Sequence, residues 1–426
     1  MTASPSPAAV PDPGTRPRRR DQILTTAEEL FATKGYTKTS MRDVATASGI
    51  LAGSLYHHFE SKEAIAVELL QNYYTDLGNT VRKFDSADAD SLSVLRSFTA
   101  EVAQVSFRHP AALQIRMFDA PSTASSSLKT VIHAAPASLS RQWRTLIGRA
   151  VMDGAISPDI EPRLLRFVLY RVTTQAGLLG WAWQSTVGSR EVTDCINTII
   201  FDGLASGPPS DHDAGQAGTA IGAVNEASAR WEADAGERLA GRRGGVLAAA
   251  RDQFALRGFE ATTMRDIADA AGLTASNLYR YFESKDSMLV EILGDFSDQL
   301  LTAYKEVIGA EASMTETLDA ILWLLQRASY QFGPEIEMLQ GFSRLVDLGL
   351  SQHYEQGARA RLVLLAQLIE TGVATGEFAY VAAPELVATC VREIMWSPMR
   401  DLASVSPLRA RKFFRRTVLS GAAARH

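Results

Sequence analysis

The chain has two cysteines in 426 residues, Cys195 and Cys390. That is too few for a disulfide framework, and a reducing cytoplasm fits such a chain. No charge-free run exceeds 18 residues, and the one of that length, 172–189, is rich in Gly, Ser, Thr and Gln, so no membrane span is expected. The first twenty residues, "MTASPSPAAVPDPGTRPRRR", lack the apolar core of a signal peptide. Catalytic signatures are missing as well: there is no Gly-rich phosphate loop and no G-x-S-x-G. His57 and His58 are neighbours, and neighbours on a helix point about 100° apart, which suits no metal. His109, His133, His212 and His353 have no partner at ligand spacing. No enzyme, no metal site and no cofactor is expected. The net charge of −5 argues against a general polyanion binder. It leaves room for locally basic surfaces, because charge close to a phosphate outweighs the total.

What the chain does contain is a repeat. Leu24–Leu70 slides onto Leu247–Leu293 without a gap, with 22 identities across 47 positions. The identities include Phe31/Phe254, Gly35/Gly258, Met41-Arg42-Asp43/Met264-Arg265-Asp266, Gly49/Gly272 and Leu55-Tyr56/Leu278-Tyr279. The echo continues further on, with Pro110 and Phe118 opposite Pro334 and Phe342, and Gly154 and Pro162 opposite Gly376 and Pro384. A whole domain is therefore duplicated. Strand signals are scarce, and apolar residues recur at helical spacing, as in Ile23, Ala27, Leu30 and Phe31. The expected fold is all-α.

In the first copy the spacing predicts a helix over 21–34 ending at Gly35, a usual residue after a helix. "SMRD" (Ser40–Asp43) has the pattern of a helix N-cap with an acid three residues on, and "TMRD" (Thr263–Asp266) repeats it. A second helix over 41–47, a turn at Gly49 and a short third helix over 52–58 follow. Two short helices joined by a glycine turn, with a third behind, make a helix-turn-helix. Val44, Ala45, Ile50, Leu55 and Phe59 are expected to pack on Leu24, Ala27 and Phe31. Ala52, Gly53, Ser54, Tyr56 and His58 then point outward, a stripe of small and polar residues suited to a major groove. Tyr56 and Lys62 are expected to meet phosphates.

These phrases, "TSMRDVATASGI" with "SLYHHFESKE" and their counterparts, resemble the DNA-binding domain of the TetR/AcrR family of bacterial regulators. The resemblance implies two tandem units, each a three-helix DNA-reading head followed by a helical ligand-binding and dimerisation domain. It implies DNA contacts at Ser40, Arg42, Ala52, Gly53, Ser54, Tyr56, His58 and Lys62. In the second copy the matching positions are Thr263, Arg265, Ala275, Ser276, Asn277, Tyr279, Tyr281 and Lys285. Most members carry one unit and pair as homodimers, so the duplication is the departure. The first copy's "GILAGSLYHHFESKEAI" is also similar to actinobacterial members that sense acyl-CoA intermediates. The implied partners are a double-stranded DNA operator and a small apolar or acyl-CoA-like effector.

The two heads keep their scaffold residues and differ at Gly53/Ser276, Ser54/Asn277, His57/Arg280 and His58/Tyr281. Base contacts specify and phosphate contacts position, so an asymmetric operator is expected. The organisation expected is a disordered basic tail over 1–19, heads at 20–66 and 238–289, helical domains at 67–205 and 290–426, and a linker at 206–237. A flexible linker of that length spans on the order of 30 Å, close to one DNA turn. Arg18–Arg20 and Arg242–Arg243 are candidate minor-groove arms. Phe118, Trp143, Trp181, Trp323, Phe342 and Trp396 are candidate pocket residues. An intramolecular pseudo-dimer and a homodimer both remain open. So do a ligand-independent architectural role and a chain in which only one head binds DNA.

Overall fold

Three helices form around the apolar spacing of each repeated segment. The computed structural model describes residues 19–84, 90–117, 125–134, 137–182, 187–207, 219–239, 241–259, 261–339, 352–395 and 405–424. In the first copy α1 (Arg19–Lys34), α2 (Met41–Ala47) and α3 (Ala52–Tyr56) enclose Ile23, Ala27, Phe31, Val44, Ala45, Leu55 and Phe59, all buried. Ile50 packs on this core while partly exposed. The first helical domain follows as α4 (Lys62–Lys83), α5 (Ser91–Arg108), α6 (Pro110–Met117), α7 (Ser126–His133), α8 (Ala137–Met152), α9 (Pro162–Ala182) and α10 (Ser189–Phe201). Helix α5 lies at its centre, packed on α9, α10, α4 and α8.

The linker expected over 206–237 is corrected by the structure. Thr219–Leu239 form α11, a 21-residue helix docked on the second helical domain. Ala220, Val224, Ala227 and Trp231 recur at helical spacing and are all buried. The Trp231 ring meets Phe332 edge-on at 5.1 Å. Arg327 bonds Ser228 and Glu232, and Arg230 pairs with Glu306. The composition concealed this because Gly, Ala and Ser, which read as linker, separate the few larger residues of the buried stripe, Ile221, Val224 and Trp231. The two heads are therefore not joined by a free coil of that length, and the tether argument for their spacing falls.

The second copy repeats the first: α12 (Gly241–Arg257), α13 (Met264–Ala270) and α14 (Ala275–Leu278) form the head. Behind it come α15 (Lys285–Ile308), α16 (Met314–Gln331), α17 (Gly333–Met338), α18 (Gln352–Ala374), α19 (Pro384–Met395) and α20 (Pro407–Arg415). Helix α20 runs into a π-type turn, Arg416–Ser420. The tail expected over 1–19 lies outside the described residues, except Arg19, which already belongs to α1.

The two units meet along a seam. Helix α10 packs on α19 and on the π-type turn, and α9 also touches α19. Helix α10 buries Val192, Ile196, Ile199 and Ile200 between α5 of its own unit and the second unit. Full burial of such a side chain stabilises by about 1.5–3 kcal/mol. The two cysteines, 195 residues apart in sequence by subtraction of their numbers, sit together here. The neighbouring Cys195 and burial hold the Cys390 thiol well above its usual range. Backbone bonds cross the seam: Leu204 N donates to Val418 O (2.9 Å), Ala379 N to Leu204 O (2.8 Å) and Ser157 N to Ala422 O (2.9 Å). Arg409 forks onto Glu161 at 2.7 and 2.9 Å.

Candidate nucleic-acid interface

Helix α2 starts at a reciprocal cap. Ser40 Oγ accepts from Asp43 N (3.1 Å), and Asp43 Oδ2 accepts from Ser40 N (2.8 Å). Thr263 and Asp266 repeat the arrangement. Such a box supplies acceptors for backbone donors that the helix leaves unpaired. Gly49 and Gly272 then turn the chain with φ of +65° and +66°, a conformation that glycine adopts without steric cost. These two features fix the angle at which the third helix stands.

The third helices present what the sequence analysis expected. Ala52, Gly53, Ser54 and Tyr56 are exposed and His58 is half-buried; so are Ala275, Ser276, Asn277 and Tyr279, with Tyr281 half-buried. Tyr56 is 54% exposed and Tyr279 56%, far above a typical tyrosine in a folded core. Arg42 and Arg265 are exposed on α2 and α13. The Ser40 and Thr263 side chains are exposed, but their hydroxyls already serve the caps. Sequence reasoning passed over Leu51, which is 80% exposed at the start of α3. Its counterpart Thr274 caps α14 through its hydroxyl. Leu51 faces Thr274 in the gap-free alignment, so it belongs with the divergent outward positions. An exposed apolar side chain beside a recognition helix can meet a thymine methyl.

Lys62 and Lys285 are engaged within their heads. The Lys62 ammonium donates to Tyr36 O (2.7 Å) and Thr37 O (3.2 Å) and lies 4.4 Å from the Tyr36 ring. Lys285 donates to Phe259 O (2.8 Å) and Thr262 O (3.2 Å), above the Phe259 ring. Both tie the start of the fourth helix to the loop that carries the N-cap, where carbonyls and a ring face attract a cation. Lys62→Met is expected to cost the head about 1–2 kcal/mol. Its log–log salt dependence of DNA affinity should stay unchanged; a lost phosphate contact would lower that slope by about one.

Two of the candidate arm residues are engaged within the heads. Arg20 forks onto Glu68 and stacks on the Phe59 ring (4.5 Å). Arg243 forks onto Glu291 (2.7 and 2.6 Å) and stacks on Phe282 (4.6 Å). These paired arginines lock the first helix to the fourth. Arg18 lies outside the described residues.

Below each head, the junction with the helical domain differs between copies. Glu28 on α1 accepts from Ala111 N at the start of α6 (3.2 Å). Burial pushes its carboxyl up from 4.5 to about 7. An acid with a raised folded pKa holds more protons folded than unfolded. Its contribution is therefore most favourable at low pH and is lost as pH rises from about 4.5 to about 7. Glu28→Gln is expected to stabilise the chain at pH 8 by about 1–2 kcal/mol and to change little at pH 5. Thermal unfolding of both proteins across that pH range checks the sign. In the second copy Arg251 and Glu335 stand at these positions, 3.8 Å apart.

The candidate pocket residues scatter. Trp143 is fully buried, edge-on to Phe98 at 4.7 Å, and its Nε1 has no hydrogen-bond partner among the described residues. Trp323 lies at the α16–α20 contact between the guanidiniums of Arg327 (5.8 Å) and Arg411 (5.5 Å). Phe118, Phe342, Trp396 and the Trp181 side chain lie outside the described residues. No group of three or more His, Cys, Asp or Glu side chains among the described residues could hold a metal ion. No described helix is long and apolar enough to cross a membrane.

A family model, "Bacterial regulatory proteins, tetR family", matches residues 23–69 and 246–292, one match per head. The HTH-type transcriptional repressor KstR2 of Mycolicibacterium smegmatis is 32% identical over 178 residues, spanning 42% of this chain and 87% of that protein. The chain belongs to the TetR family. A second KstR2, from Rhodococcus jostii, is 28% identical over 204 residues, 47% of this chain and 98% of the relative. Both TetR-family repressors match over somewhat under half of the chain, the share one unit makes. Among solved structures, the probable transcriptional regulatory protein RHA5900 aligns with 28% identity and a TM-score of 0.39, covering 44% of this chain and all of its own. The chain is thus a TetR-type protein with two family units in tandem.

Proposed function

We propose that the chain is a sequence-specific transcriptional repressor that works as a one-chain pseudo-dimer. Its two different heads read the two halves of an asymmetric operator. One observation carries this reading: two heads share caps, turns and braces while their exposed helices differ, and α10 of one unit packs on α19 of the other. Arg42, Ala52, Gly53, Ser54, Tyr56 and His58 would face one half-site, with Ser40 at its edge. Arg265, Ala275, Ser276, Asn277, Tyr279 and Tyr281 would face the other, with Thr263 in the place of Ser40.

The release signal in this reading is a small apolar or acyl-CoA-like effector held in a helical domain. The aromatic interior around Trp143, with a buried donor that no group among the described residues accepts, supports a ligand carrying an acceptor there. Such a ligand acts by binding one spacing of the heads more tightly than another. The protein would act in the cytoplasm on double-stranded DNA.

The test is selection of bound DNA from a random pool with three proteins: wild type, Arg42→Ala/Tyr56→Ala, and Arg265→Ala/Tyr279→Ala. An asymmetric site that loses a different half in each variant supports the reading. A palindrome disturbed by only one variant sinks it, and leaves two chains pairing through a single type of head.

A further inference from the structure

Arg361 on α18 is 7% exposed, yet its partners among the described residues are neutral groups. Its Nη1 donates to Ser297 O (3.2 Å) and Ser297 Oγ (3.3 Å) on α15. Its guanidinium also bonds the Tyr354 hydroxyl and stands 5.7 Å from that ring. Gly357, one turn earlier on α18, permits this approach. A Cβ there would lie 2.0 Å from Ser297 Oγ and 3.3 Å from Arg361 Nη1.

A second arginine, Arg392 on α19, stands close enough to act on the first. Burial holds the Arg361 charge below its usual range, and Arg392 adds to that. Glu393 is the carboxylate that acts on this cluster among the described residues, and Arg392 holds it through Nη2 (2.6 Å) and Nε (3.0 Å). Two guanidiniums therefore share one carboxylate, and one positive charge is left unbalanced. An arginine does not shed its proton, and a buried charge is costly unless it is paired. There is also room beside the cluster. Arg392 lies deep within the domain while its side chain is 37% exposed, as for a group that lines a recess. The Tyr354 ring, stacked on Phe296 at 6.0 Å, adds an aromatic wall.

A buried positive surplus beside an aromatic wall asks for a ligand with one negative charge and an apolar body. We propose that this recess in the second helical domain binds an organic carboxylate. Its carboxylate lies between Arg361 and Arg392, and its body lies against the Tyr354 ring. The planar arginine fork matches a carboxylate, and one monoanion balances the charge. The first unit lacks the arrangement: in the register set by Gly154/Gly376 and Pro162/Pro384, Leu139 and Tyr170 stand in place of Arg361 and Arg392. The inference goes beyond the effector reading above, whose support lies around Trp143 in the first unit. Helix α15 starts at the second head and α19 packs on the seam, so an occupant held between them touches both.

Calorimetric titration of the full chain with hexanoate tests this. Hexanol and hexylamine serve as neutral and cationic matches, and inorganic phosphate as an anion without a tail. Hexanoate is expected to bind with a Kd on the order of 0.1–1 mM, and the three others about tenfold more weakly or worse. Arg361→Met should abolish hexanoate binding. It should also leave the melting temperature of the unliganded chain unchanged or raised, because it removes a buried charge that nothing balances. Arg392→Met, which removes the surplus while keeping Arg361, should weaken hexanoate about tenfold. Unfolding curves establish that each variant is folded, and Arg392→Met keeps the test valid if Arg361→Met is not. Equal binding of the four probes, no binding of hexanoate, or hexanoate binding that survives both substitutions overturns the proposal. The titration contains no DNA and the substitutions lie in the second unit. Its failure therefore leaves the operator reading and the first-unit effector untouched, and their failure leaves the carboxylate site standing.

Discussion

Exchanging the exposed residues of α3 for those of α14 is expected to turn an asymmetric operator into a symmetric one. The variant carries Leu51→Thr, Gly53→Ser, Ser54→Asn, His57→Arg and His58→Tyr. All five wild-type side chains are exposed or half-buried, so the exchange leaves the packed core of the head alone. The scaffold on which they stand is shared: the same cap, the same glycine turn, the same arginine and lysine braces. A mismatched base pair costs about 1–3 kcal/mol. Two altered positions in one half-site should then lower affinity for the wild-type site by about 100-fold or more. The same protein should select a site with two copies of the second half. Selection from a random pool reads the result directly. If the variant retains the wild-type site, these helices do not read the bases, and the specificity must lie elsewhere.

The second large effect is expected at the seam. Gly203 and Gly421 have φ of +79° and +80° and approach each other's backbone. A Cβ on Gly421 would lie 2.3 Å from Phe201 O, and one on Gly203 would lie 2.5 Å from Leu419 O. Neither contact can be relieved by a side chain moving aside, because both partners are backbone. A left-handed conformation costs a branched residue about 1–3 kcal/mol, and the clash adds a similar amount. Gly421→Val is therefore expected to destabilise the seam by about 2–5 kcal/mol. Differential scanning calorimetry of the variant should show melting that is split or lowered in temperature relative to the wild type. Operator affinity should drop with it, since the spacing of the heads depends on this contact rather than on a tether. An unchanged melting curve would mean that the seam does not join the units in solution.

Much of the head was legible in the sequence because its features are local. A cap needs a hydroxyl and an acid three residues apart, and a turn needs glycine at one position. The buried faces follow from helical spacing, so Val44, Leu55 and Phe59 could be assigned to the core without coordinates. The duplication supplied a control within the chain, and differences between the copies marked the outward positions. Lys62 and Lys285 show where this stops. A lysine at a helix start reads as a phosphate anchor, and only the folded loop reveals the carbonyls and the ring beneath its ammonium. Arg20 and Arg243 looked like arms for the same reason, because their carboxylate partners lie 48 residues away.

The sequence by itself determined the all-α class, the tandem heads and the surfaces those heads expose. Each depends on spacing within a few turns of helix or on identity between aligned copies. Tertiary structure alone decided that 219–239 is a docked helix, that Cys195 meets Cys390, and that Gly203 faces Gly421 across a seam. These features join residues distant along the chain, and the apolar periodicity of a helix records that a face is buried without recording which partner buries it.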